Sequence, residues 1–122
     1  MKRILVVEDN VGVSNVIAAC LASYDVTVTH NGPEALARAS QLSGCDLLIT
    51  DYLMPSIPGD EVARRLRLLH PAAKTMLLTG FGENITVDRS AVDVQLAKPF
   101  APDALRDTVK HLIGGPSTAV GA

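Results

Sequence analysis

The sequence predicts an α/β protein, a doubly wound sheet of five parallel strands with helices on both faces. Three observations predict it. Five short strand-like segments alternate with segments of helical spacing over 122 residues. The first of them, "RILVV", holds an unbroken apolar run from Ile4 to Val7, the pattern of a strand covered on both sides. No internal repeat interrupts the alternation, and strands joined through helices must run parallel, through right-handed crossovers that leave few topologies.

Each element has its own reason. After "RILVV" the acids Glu8 and Asp9 close the strand, and Asn10 reads as a helix cap. Val13, Val16, Ile17, Cys20 and Leu21 then recur at helical spacing until Tyr24-Asp25 breaks the pattern. "DVTVTH" alternates as a strand does, and "NGPEALARASQLSG" supplies a turn, an early proline, an amphipathic helix and a glycine stop. "CDLLIT" is the third strand, ended by Asp51. "PGDEVARRLRLLH" is the third helix, with Pro58 in its opening turn, Val62, Leu66 and Leu69 on one face, and Glu61, Arg64, Arg65 and Arg67 on a solvated face. "KTMLLTG" is the fourth strand. Periodicity is weakest in "FGENITVDRSA", which predicts a fourth helix that is short or irregular. "VDVQLA" and "PFAPDALRDTVKHLI" complete the fold. One domain over residues 1–113 is expected, followed by a flexible tail over residues 114–122.

Composition excludes several classes of function. A formal net charge of −2 and a pI near 5.8 provide no basic field for phosphate backbones, so direct nucleic-acid binding is not expected. Although 48% of the residues are hydrophobic, no apolar run is long enough to span a membrane, and none is expected. Cys20 and Cys45 are far apart and flanked by apolar residues, which suits packing in a reducing cytoplasmic setting better than a metal or redox pair. His30, His70 and His111 share no ligand spacing and are assigned no chemistry; Phe81 and Phe100 are expected to pack near the rim of a pocket.

In a parallel sheet the strand ends lie along one edge, and here they carry chemistry. Glu8 and Asp9 follow the first strand, Asp51 the third, Thr79 the fourth and Lys98-Pro99 the fifth. Clustered carboxylates repel one another and need a cation to stay ionised together. Carboxylate and carbonyl oxygens suit a hard ion such as Mg2+. A carboxylate can also attack phosphorus, and phosphoryl transfer asks mainly for positioning and charge neutralisation, which Mg2+, Lys98 and Thr79 could supply. Each residue alone has a plainer reading: Asp9 or Asn10 as a helix cap, Asp51 and Thr79 as turn residues, Lys98 as a surface lysine.

Together, "VVEDN", "DYLMPSIPGDE", "LLTG" and "LAKPF" resemble the receiver domains of two-component response regulators, over Lys2 to about Ile113. That resemblance implies a flavodoxin-like sheet of order 2-1-3-4-5. It implies Asp51 as phosphoacceptor, Glu8, Asp9, Asp51 and the backbone carbonyl of Leu53 as the Mg2+ site, Thr79 and Lys98 as the phosphate-contacting switch pair, and a cis peptide before Pro99. The partners it implies are a histidine kinase or histidine phosphotransfer protein and a downstream protein, and the role is that of a signalling switch in a phosphorelay rather than an enzyme. Two features depart from the pattern. Gln95 occupies the position usually held by an aromatic that follows the threonine, and the Thr79 to Lys98 segment is short, as in stand-alone regulators or the C-terminal receivers of hybrid kinases. Met1 favours the former. These departures keep a second reading open, a receiver-fold interaction scaffold that works without phosphorylation.

Overall fold

The computed structural model describes residues 1–80, 87 and 89–115. Its elements run β1 (Arg3–Val7), α1 (Val11–Cys20), β2 (Asp25–Thr29), α2 (Gly32–Gln41), β3 (Leu47–Asp51), α3 (Gly59–Leu69), β4 (Lys74–Thr79), a 3-10 turn (Arg89–Ala91), β5 (Val94–Ala97) and α4 (Pro102–Ile113). The strands form one parallel sheet in the order β2-β1-β3-β4-β5, the order expected.

Alternation along the central strands divides the core into two layers. Leu5, Val7 and Leu48 face α2 and α3, where Ala35, Ala39, Val62 and Leu66 cover them. Ile4, Val6, Leu47 and Ile49 face the other way, onto Ile17 and Leu21 at α1 and Leu105 and Val109 of α4. This is why "RILVV" carries no polar alternation: both of its faces are covered. Each fully buried Leu, Ile or Val contributes roughly 1.5–3 kcal/mol. The edge strands are less apolar. β5 alternates between partly buried and exposed positions along its length, and Gln95 is one of the exposed ones.

The helix starts follow from capping chemistry. The Asn10 side chain accepts a hydrogen bond from the Val13 amide at 3.0 Å, and Asn31 accepts one from the Glu34 amide at 2.8 Å. Pro33 sits in the first turn of α2 and Pro102 opens α4. Pro58 stands just outside α3, at its cap position, where Asp60 and Glu61 in the first turn favour the positive end of the helix. Gly114 ends α4 with φ at 83°, a left-handed conformation that glycine adopts at little cost.

Arg67, the fourth helix, Phe81 and most of the tail differ from expectation or lie outside the described residues. Arg67 stays 30% exposed but does more than face solvent: it reaches from α3 to the Asp93 carboxylate at 2.7 Å and the Ser90 carbonyl at 2.9 Å, and so holds the 3-10 turn against the helix. Glu61, Arg64 and Arg65 do form ion pairs on the outer face of α3. The expected fourth helix falls largely on residues 81–86 and 88, outside the described residues, as do Phe81 and the tail from residue 116; of that segment residue 87 and the 3-10 turn are described. Phe100 packs against the α1/α4 layer of the core. Cys45 is buried and Cys20 half-buried, and both are free thiols.

Candidate functional site

Parallel register brings the strand ends to one edge. Asp51 is the last residue of β3 and pairs with Leu78 of β4, so Thr79 lies one residue beyond it on the neighbouring strand. Thr79 in turn pairs with Ala97, and its carbonyl accepts the Lys98 amide at 2.7 Å. On the other side of β3, Val7 pairs with Thr50, which sets Glu8 next to Asp51.

Glu8, Asp9 and Asp51 each offer a carboxylate oxygen within 4.8 Å of the others. Glu8 is fully buried, Asp51 is 4% exposed, and Asp9 faces solvent. The Lys98 ammonium reaches into this cluster, 2.8 Å from Glu8 Oε1 and 2.5 Å from Asp51 Oδ1. The second oxygen of Glu8 accepts the Asn10 amide at 3.1 Å. Asn10 is the residue that caps α1, which leaves the Asp9 carboxylate out of the cap. Leu53 follows in the bend after β3 with its side chain exposed, and the Lys98–Pro99 peptide is cis.

Burial and charge act differently on the two buried acids and on Lys98. Burial, and a hydrogen bond that the protonated Asp51 carboxyl donates to Glu8, raise Asp51 above its ordinary range, against the pull of Lys98. Burial also opposes ionisation of Glu8, but its hydrogen bonds with Asp51, Lys98 and the Asn10 amide outweigh that and lower its pKa. Lys98 loses solvation too, yet Asp51 and Glu8 hold its proton more firmly than water does. One lysine thus faces two carboxyl groups, with a third beside them. That excess of negative charge, presented by hard oxygen donors with one ligand open to water, fits a small divalent cation such as Mg2+.

Two residues outside the expected site set touch it through the backbone. Gly59 opens α3 against the back of Asp51: a β-carbon there would stand 2.0 Å from the Asp51 carbonyl oxygen and 2.9 Å from Leu77 Cδ1. The Gly59 amide also donates to the Tyr52 carbonyl at 2.8 Å, closing the loop that follows Asp51. His30 is the other, with Nδ1 3.0 Å from the Glu8 carbonyl oxygen. Beside Lys98, an apolar groove of about 690 Å³ runs between α1 and the start of α4, lined by Val13, Val16, Pro99 and Phe100.

A family model described as the response regulator receiver domain matches residues 4–110. Among curated relatives, the response regulator receiver protein CpdR of Brucella abortus is 37% identical over 92% of this chain and 94% of its own length. The transcriptional regulatory protein TrcR of Mycobacterium tuberculosis is 30% identical over 91% of the chain, which spans only 45% of that protein. Among solved structures, the response regulator TrrA of Thermotoga maritima, crystallised in complex with Mg2+-BeF, superposes with a TM-score of 0.81 at 36% identity, covering 92% of this chain and 99% of that one.

Proposed function

The chain belongs to the response regulator receiver family, and on that premise we propose that it accepts a phosphoryl group on Asp51 from a phosphohistidine of a partner protein. The observation that carries this reading is the seat of Asp51: a nearly buried carboxylate at a strand end, bonded to a lysine and within 4.8 Å of two further acids. In the step, an Asp51 oxygen attacks phosphorus. The phosphorus to nitrogen bond of the phosphohistidine breaks, and its electron pair returns to the imidazole, which takes a proton from solvent.

Glu8, Asp9, Asp51 and the Leu53 carbonyl would hold Mg2+, which when bound supplies positive charge against the phosphoryl oxygens. The complex of TrrA with Mg2+-BeF supports that assignment. Lys98 turns from Asp51 to the new phosphoryl oxygens, and the Thr79 hydroxyl donates to them. Only the phosphorylated protein can make these contacts, so they bias it toward a second surface state that a downstream protein reads. The free thiols of Cys20 and Cys45 suit the reducing cytoplasm.

Intact mass after incubation with acetyl phosphate, with and without Mg2+ and beside Asp51→Asn, tests the reading. The expected result is a Mg2+-dependent, alkali-labile adduct that the variant lacks. An adduct retained in Asp51→Asn would remove Asp51 from the role. Failure with both acetyl phosphate and a phosphorylated histidine phosphotransfer protein would favour the phosphorylation-independent scaffold, a reading that exposed Gln95 at the aromatic position keeps in play.

A further inference from the structure

Every polar group of Glu8 is engaged. Its amide donates to the Thr29 carbonyl at 3.1 Å, and its carboxylate meets the Asn10 amide and Lys98. Its carbonyl oxygen belongs to the Glu8–Asp9 peptide and lies 3.0 Å from His30 Nδ1. A carbonyl only accepts, so Nδ1 carries the hydrogen. The His30 backbone is itself anchored: its amide donates to Glu34 Oε1 at 2.6 Å, one residue before the cap, while the Glu34 amide donates to Oδ1 of the cap residue Asn31 at 2.8 Å. The start of α2 therefore anchors the backbone that carries the ring to the β1 end.

Asp9 needs such support. It is exposed, and among the described residues no hydrogen bond or ion pair reaches its carboxylate, so its direction depends on the backbone that precedes it. We propose that His30 is a positioning residue for the acidic pocket: by holding the Glu8 carbonyl it sets the plane of the Glu8–Asp9 peptide, and with it the aim of Asp9 toward Asp51. The inference rests on the reading of Glu8, Asp9 and Asp51 as a Mg2+ site. Loss of a group that orients a metal ligand costs roughly 10–100-fold in affinity when it bonds the ligand side chain. His30 acts through a peptide, so the expected loss lies near the lower end of that range.

Calorimetric titration of the full chain with Mg2+ is the test, on wild type, His30→Leu and His30→Asn, with thermal melting of each in chelator. Asn places an amide nitrogen at the same branch position as Nδ1 and keeps the donor. We expect His30→Leu to bind Mg2+ about tenfold more weakly, His30→Asn to recover most of that loss, and the three melting temperatures to agree within a few degrees because His30 is exposed. Equal Mg2+ affinity in wild type and His30→Leu would overturn the positioning role alone, as would equal losses in both variants. No Mg2+ binding by wild type would overturn the metal reading and this inference with it.

Discussion

Lys98 Nζ stands 2.8 Å from Glu8 Oε1 and 2.5 Å from Asp51 Oδ1, so a residue that follows β5 ties together the ends of β1 and β3. The ammonium has the place that a cation must share, and it compensates only one of the two buried carboxyl groups. Its contact with Asp51 is also one that a phosphoryl group would replace. This pairing underlies the first two predictions.

Replacing Lys98 by Ala leaves Glu8 and Asp51 side by side without their cation. Breaking a fully buried pair costs about 3–5 kcal/mol; Lys98 is 27% exposed, so a smaller loss is expected, with the fold retained. Urea unfolding in chelator reads this loss, and saturating Mg2+ should restore much of it. Mg2+ should bind the variant at least as tightly as wild type, since a competing positive charge is gone. Asp51 should still accept phosphate while the affinity for a downstream partner stops responding to it. Weaker Mg2+ binding in the variant would contradict this picture of competition.

A second expectation concerns pH. Burial and Glu8 push the Asp51 carboxyl up to about 8, against roughly 3.9 in an unfolded chain. The folded state then binds more protons than the unfolded state between these values, and this group makes stability fall as pH rises through that window. Glu8, whose pKa is lowered, contributes stability above its unfolded value and loses it only in acid. Lys98, whose pKa is raised, contributes until strongly alkaline pH. Neither opposes the slope between pH 5.5 and 7.5. Urea midpoints in chelator should therefore decline over that interval, and Mg2+ should flatten the decline while releasing protons on binding. A slope unaffected by Mg2+ would separate the cation from the carboxyl cluster.

Gly59→Ala should be severe for a residue at a helix start. The added carbon would stand 2.0 Å from the Asp51 carbonyl oxygen, which is backbone and cannot rotate away. Overpacking costs about 1–3 kcal/mol where side chains can shift, and here at least the upper figure is expected. Because the strain falls on the Asp51 peptide, phosphorylation by acetyl phosphate should slow more than the loss of folded protein explains. A variant of wild-type stability would show that α3 can draw back from β3 at little cost.

Asp93→Ala provides a control at the far end of the sheet. Asp93 accepts the Thr75 amide at 2.7 Å and pairs with Arg67, and Thr75 pairs with Leu48, three residues before Asp51. Removing it strands a buried amide and a half-buried guanidinium, at about 1–3 kcal/mol. Thermal melting should register that loss while Mg2+ affinity stays within twofold of wild type. A large drop in Mg2+ affinity would mean that the two ends of the sheet are coupled.

β1 was legible because both its faces are buried and its residues say so without interruption, and Asp51 stood out because a carboxylate ends such a strand. Local pattern suits either Asp9 or Asn10 as the cap of α1; the Val13 amide donates to Asn10, which leaves Asp9 to the pocket. Arg67 was placed with its helical neighbours because periodicity assigns a residue to a face of its own helix. It carries no information about Asp93, which lies 26 residues away.

The sequence by itself determined the alternation of elements, the parallel sheet and the gathering of Glu8, Asp9, Asp51, Thr79 and Lys98 at its carboxyl edge, since burial and chain direction are written in local patterns. Only the tertiary structure decided that Lys98 bonds both buried acids, that Gly59 lies against the Asp51 carbonyl and that His30 holds the Glu8 peptide. Those contacts join residues 8 to 90 positions apart, and their ångström distances follow from strand register and helix packing, which no local pattern of side chains encodes.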